Sequence, residues 1–294
     1  MRYQDLLAAV HPLVWPDVRT LACGEPGHPA GHTCLVGSDP ADLPALREEL
    51  GSRYGEPSAL VEDGRTVGRA GSPLLAPDGD RLADMGVWPF GGRWIGCGTL
   101  LTGEGPRPLV RIAERPAPPL DALPGTASAV ERLAAITDVP PSPEHPVDWP
   151  AVEARLGTRL PGDYKRTVEV FGPGSFDGWL QLYSPLDPTS DLVEHTEWLR
   201  RWSTANGTRL WEPYGLHPSP GGLLQWAATE QADAFYWITD GPDPDRWPVV
   251  AAADDNVFTD PFPGSTASYV CALLTDPAFP LGMAGTFSAH WFQR

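Results

Sequence analysis

Two periodicities divide this chain. In some stretches apolar residues recur three and four apart, as on one face of a helix; in others they alternate with polar residues, as on a half-buried strand. The helical spacing is sharpest between Asp148 and Gly174. Trp149, Val152 and Leu156 share one face of a short helix that Asp148 caps and Gly157 ends. An aspartate oxygen accepts from free first-turn amides, and Pro150 sacrifices no hydrogen bond there. A second helix opens at Pro161, carries Asp163 in its electropositive first turn, and aligns Tyr164, Val168 and Phe171 before Gly172 stops it.

Phe176 to Tyr183 then alternates Leu180 and Leu182 with Trp179, Gln181 and Tyr183, which predicts a strand with one buried face. A helix starts at Ser190 or Asp191 and runs through Leu192, Leu199 and Trp202, with Glu197 and Arg201 spaced for an exposed ion pair. Strands follow at Leu223–Ala227, Ala234–Thr239 and Pro248–Ala252. Ser265 caps a last helix that turns Tyr269, Val270, Leu273 and Leu274 inward. Short loops between sequential strands predict an antiparallel sheet, with the helices over it.

The first part of the chain reads as a small α+β unit. Strands are expected at Val18–Ala22, Thr33–Val36, Arg93–Leu101 and Pro108–Ala113. A helix from Asp42 sets Leu43, Leu46, Leu50 and Tyr54 on one face. Proline runs at Arg115–Pro119 and Val139–Pro143 stay extended and lack amide donors, so they act as spacers. Between them Ala127–Ile136 forms a short helix, expected to pack on the second domain through Val130, Leu133 and Ile136. The fold class is therefore α+β with two domains: a small unit over 1–115, a proline-rich linker with a short helix over 116–146, and 147–294, an antiparallel sheet covered by helices.

Thirty-five prolines and 31 glycines imply many turns, but 41% hydrophobic residues and 12 tryptophans are too many for a disordered chain. The net charge is −17, and residues 138–294 hold 21 acidic against 9 basic side chains. Such a field repels phosphate backbones and anionic lipid, so neither nucleic acid nor membrane is an expected partner; the acid serves either solubility or the steering of a basic protein partner. Four scattered cysteines, no basic-apolar leader and no apolar run of membrane length point to reduced thiols in a cytoplasmic protein.

The Asp148–Gly174 stretch resembles the SUKH superfamily, which includes bacterial toxin-immunity proteins and fungal cell-wall-assembly regulators. The resemblance lies in Trp149, Glu153, Leu156, Gly157, Leu160, Pro161, Asp163, Tyr164, Lys165, Phe171, Gly172 and Gly174. It continues more loosely through Leu223–Trp226, Phe235–Asp240 and Tyr269–Leu274, about half of the chain in all. The leucine-proline-x-aspartate-tyrosine run is its specific part, and Pro173 departs from the family's usual polar residue. The resemblance implies a SUKH-like domain and a non-enzymatic immunity protein, with no cofactor, that neutralises a cognate toxin by occlusion. The acidic charge suits a basic, nuclease-type toxin. A regulatory scaffold binding an endogenous partner is one rival reading, and a zinc-binding protein is another.

The candidate partner-binding residues are aromatic anchors within an acidic rim. Trp179, Trp226, Trp237 and Trp247 fall on or beside strands of one sheet, among loops carrying Asp177, Asp240, Asp243, Asp245, Asp254 and Asp255. Large rings are mostly inside, so about two of the four tryptophans are expected in the core. The metal candidate is Cys23-x4-His28-x3-His32-x-Cys34, two thiols and two imidazoles within twelve residues. Its spacing fits no common finger or ribbon, and cysteines buried as small hydrophobes explain it as well, so spacing alone predicts no metal. Neither Asp240–Asp245 nor Asp78 with Asp80 provides the longer alternating set, with its terminal bidentate glutamate and a glycine placed at the sharp turn, that a calcium loop needs. Gly172-Pro-Gly174 follows a helix and precedes a strand, the reverse of a nucleotide fingerprint. There is no G-x-S-x-G elbow or H-E-x-x-H pair, and His195 reads as a solvated helix residue. No catalytic residue is expected.

Overall fold

The computed structural model describes residues 1–15, 20–67, 72–76, 78, 81–120, 123–141, 143–207, 209–253 and 257–294. It is α+β, and it divides into Met1–Ala117 with Phe287–Gln293, and Pro118–Thr286 with Arg294.

In the first unit the strands are β1 (His32–Val36), β2 (Ser58–Glu62), β3 (Arg65–Thr66), β4 (Leu82–Phe90), β5 (Arg93–Thr102) and β6 (Gly105–Glu114). They form one sheet in the order β1-β6-β5-β4-β2-β3. Because side chains alternate along a strand, each face of the sheet gathers its own core. Leu35, Ile95, Cys97, Val110 and Ile112 meet Leu6, Val10 and Val14 of α1 (Tyr3–Val14) and Leu46 and Leu50 of α2 (Leu43–Tyr54). On the other face Met85, Val87, Leu109 and Ala113 pack with Leu74 of the short α3 (Ser72–Leu75). The expected strand at Val18–Ala22 is not formed at residues 20–22, and its first two residues lie outside the described ones. The sequence reading omitted α1, β2, β3, α3 and β4, although Leu6, Val10 and Val14 carry helical spacing. Phe287 and Trp291 belong to this unit and not to the second, because their rings pack on Phe90.

The second unit contains α4 (Ala129–Ile136), α5 (Trp149–Leu156), α6 (Gly162–Phe171), β7 (Gly174–Phe176), β8 (Leu180–Leu182), α7 (Leu192–Asn206), β9 (Leu223–Thr229), β10 (Ala234–Ile238), β11 (Val249–Ala252) and α8 (Thr266–Thr275). Its strands run β11-β10-β9-β8-β7, antiparallel throughout. Residues 118–146, read from sequence as a linker, are part of this unit. Ser128 starts α4 with a capping box to Glu131, and Val130, Leu133 and Ile136 are buried. The single strand expected over Phe176–Tyr183 is a hairpin, because Asp177 (φ 56°) and Gly178 (φ 62°) take the left-handed conformations that a tight hairpin turn requires.

The α5–α6 pair forms as its spacing predicts. Asp148 accepts from the Ala151 amide, and Gly157 closes α5 at φ 77°. Glu153 Oε1 then spans the joint, accepting from the Leu160 amide at 2.9 Å and from Nζ of Lys165, the chain's only lysine, at 2.8 Å. The Asp163 carboxylate accepts from the Ala267 amide at 2.7 Å, tying α6 to the start of α8. The Tyr164 hydroxyl donates to the Tyr183 carbonyl at 2.7 Å, and its ring meets Trp237 edge-on. At Gly172 (φ 74°) a Cβ would lie 2.8 Å from the His145 ring, so both the turn and the close approach demand glycine. Trp149 is only half-buried, held by Nε1 donating to Glu169 at 2.8 Å.

Phe171 is fully buried, so Phe171→Ala is expected to cost about 3–5 kcal/mol in denaturant unfolding, and Trp149→Ala distinctly less. Burial also holds the His195 and His217 imidazoles below their ordinary pKa, with Arg200 adding to the effect at His217. The folded state thus favours the neutral rings. Above the unfolded value of 6.5 neither state is charged and nothing is lost. As pH falls below it, the unfolded chain takes up protons first and stability drops until the folded rings titrate. Replacing both histidines by glutamine should shrink the loss of stability as pH falls below about 6.5, measured by denaturant titration.

Candidate functional site

Most of the aromatic anchors read from sequence are core. Trp226 and Trp237 are fully buried and Trp247 nearly so. Their indoles stack or bond inward: Trp237 Nε1 donates to Thr266 at 2.9 Å and Trp247 Nε1 to the Gly241 carbonyl at 3.2 Å. Trp237 and Trp247 therefore present almost no surface to a partner. Trp179 is half-buried, with Nε1 on Gln231 at 2.7 Å. Asp177 is buried in the hairpin turn. Asp243 and Asp245 are exposed, but their carboxylates hold backbone amides: Asp243 accepts from Asp245, and Asp245 from Gly162. Asp240 is exposed. Asp254 and Asp255 lie outside the described residues. His195 is packed, not solvated: it meets the Tyr183 ring and bonds to Gln225 at 3.0 Å.

The open apolar surface lies elsewhere in the second unit, where sequence reasoning did not look. Phe258 and Phe262 bridge to the outer edge of β11, and with Phe279, Leu281 and the buried Tyr269 they wall a concavity of about 610 Å³. Val257, on its wall, is 62% exposed, and Asp260 supplies an exposed carboxylate. The available signal was the run of aromatic and proline residues from Phe258 to Pro263.

The cysteines and histidines of the first unit do converge. His32 and Cys34 are two apart on β1 and so project from the same face, the one beside Leu74. Cys23 and His28 approach from the preceding loop, which is pinned at its base by the Gly31 amide on the Leu21 carbonyl and by Thr33 Oγ1 on that of Ala22. His28 Nδ1 lies 3.2 Å from Cys23 Sγ, 3.3 Å from His32 Nε2 and 3.7 Å from Cys34 Sγ, and the four ligand atoms all fall within 4.8 Å of one another.

Behind this cluster sits Arg111, fully buried and paired in register with Cys34 across β1 and β6. Its Nε donates to Cys34 Sγ at 3.2 Å, while its other nitrogens donate to the Leu74 carbonyl and the Asp78 carboxylate. Asp78, considered from sequence as part of a calcium loop, is thus an ion-pair partner shared with Arg81; Asp80 lies outside the described residues. Burial, then Arg111, lowers the His32 pKa, and burial raises the Cys34 thiol to about 11 against the opposing pull of Arg111.

No family model, curated protein or solved structure matches the chain. Among the described residues no helix is long and apolar enough to cross a membrane.

Arg111→Met removes the buried one of the two arginines that pair with Asp78. It is expected to destabilise the first unit by roughly 3 kcal/mol, the low end for a broken buried pair, read from a denaturant midpoint.

Proposed function

We propose that the second unit is a protein-recognition module of the SUKH type, and that the protein is an immunity protein that occludes a basic, nuclease-type toxin. The observation that carries this reading is the α5–α6 pair. Glu153, Leu160, Asp163, Tyr164, Lys165 and Gly172, on which the resemblance rests, act together as a clamp that joins two helices and seats them against α8. A shared scaffold of this kind leaves recognition to the variable surface around it.

Two features of that surface favour a basic protein. The excess of acid over base lies mainly in residues 138–294, and a field of that sign accelerates encounter with a cation-rich partner. The open wall of Val257, Phe258, Phe262 and Phe279 supplies the apolar anchor that the buried tryptophans do not, with Asp260 beside it.

The test is rescue of cells expressing a basic nuclease-type toxin from the neighbouring gene, with stopped-flow association of the purified pair. Protection is expected, with an association rate that falls steeply as salt is raised. No binding to such a toxin, with capture of a housekeeping protein instead, would replace this reading with the scaffold one. Val257→Arg, at an exposed position, should weaken the complex at least tenfold without moving the melting temperature. Asp240→Lys with Asp260→Lys should slow association and flatten its salt dependence.

A further inference from the structure

We infer that the first unit binds one zinc ion through Cys23 Sγ, His28 Nδ1, His32 Nε2 and Cys34 Sγ, and that this ion fastens the 21–31 loop to the sheet. The proposal is independent of the reading of the second unit.

The geometry distinguishes a metal site from a hydrogen-bonded cluster. His28 Nδ1 lies within bonding range of three partners at once, at 3.2, 3.3 and 3.7 Å, yet it offers either one proton or one in-plane lone pair. One hydrogen bond accounts for one of these approaches; a shared cation accounts for all three. Zinc bonds of about 2.0–2.1 Å to nitrogen and 2.3 Å to sulfur make the edges of a tetrahedron roughly 3.3–3.8 Å long. The three measured separations fall at or near that range. The 4.8 Å limit on the widest pair asks for a side-chain shift of about 1 Å.

The loop gives a second, independent reason. From Cys23 to Gly31 it reads C-G-E-P-G-H-P-A-G, and none of these residues is buried, so no apolar packing offsets the entropy of ordering it. Leu21 precedes the loop in the core, and Cys23 and His28 turn from it toward His32 and Cys34 on β1. Metal ligation supplies what packing does not, as it does in small metal-stapled modules.

The donor set selects the ion. Two thiolates and two imidazoles suit a borderline-soft cation with no geometric demand of its own, and four protein ligands leave no open position for substrate. The site is structural. As two Zn–S bonds form, two thiol protons leave to solvent, and the resulting centre is neutral: one dication and two thiolates. Arg111 Nε donates to Cys34 Sγ from behind, an outer contact that orients the sulfur and draws off part of its charge. The guanidinium's own charge is met by Asp78, which it shares with Arg81.

The test is titration of the full chain, purified under reducing conditions and stripped with chelator, with Co²⁺ and then Zn²⁺. One Co²⁺ per chain is expected, with the intense visible bands of tetrahedral cobalt and a near-ultraviolet thiolate charge-transfer band, both bleached by one equivalent of Zn²⁺. Cys23→Ser and His28→Ala lie on the outer loop, where they leave the core intact; each should abolish the bands, while Cys271→Ser retains them. Chelator should lower the melting temperature of the wild type and leave that of Cys23→Ser unmoved. Absence of a stoichiometric ion, octahedral cobalt bands insensitive to Cys23→Ser, or a Cys23–Cys34 disulfide in the reduced preparation would each overturn the proposal.

Discussion

Arg111 enters the interior of the first unit because β6 alternates, and a guanidinium there must be met on every side or cost several kcal/mol. That requirement organises one face of the sheet. Asp78 is drawn inward to neutralise it, α3 presents the Leu74 carbonyl to it, and Cys34 stands opposite in register to accept from its Nε. His32, two residues back on β1, faces Ala113, whose small side chain leaves room for an imidazole. The polar groups of this face form one connected set, with the loop's Cys23 and His28 at its outer end and Arg81 on Asp78.

The second unit meets the same constraint with different groups. Its aromatic core, with Tyr164, Trp226, Trp237, Phe235 and Tyr269 ring against ring, leaves helix ends and a helix joint that need polar partners. Glu153 and Asp163 supply them, one across the α5–α6 joint and one at the start of α8. Asp245 does the same for the Gly162 amide at the start of α6. Acidic residues that look like surface charge therefore divide into those that hold amides and those left free to shape the external field.

Local chemistry made much of this legible. The caps at Asp148, Asp191 and Ser265 begin helices where their side chains accept from first-turn amides, and the runs at Leu223, Ala234 and Pro248 become adjacent antiparallel strands. The Asp177-Gly178 hairpin was equally local, but Leu180 and Leu182 alternate on one side of it and hid the turn inside an apparent single strand. Trp237 reads from sequence as a partner anchor for a different reason. Alternation says that a ring faces one side of a sheet, and only the helices and loops packed there decide whether that side is solvent.

By itself, then, the sequence determined the periodic elements, their caps and stops, the α+β class and the sign of the charge, because each depends on residues within a turn or two of one another. Tertiary structure decided what is brought together across long separations. Cys34 and Arg111 are 77 residues apart, and Glu153 reaches Leu160 only once the two helices have folded back. The Cys/His spacing matched no familiar pattern because its geometry is set by strand register and loop closure. Two of the four residues, His32 and Cys34, share one face of β1, and hydrogen bonds at the loop base carry Cys23 and His28 over them. Spacing along a chain constrains such a cluster only weakly; the sheet beneath it fixes where the side chains point.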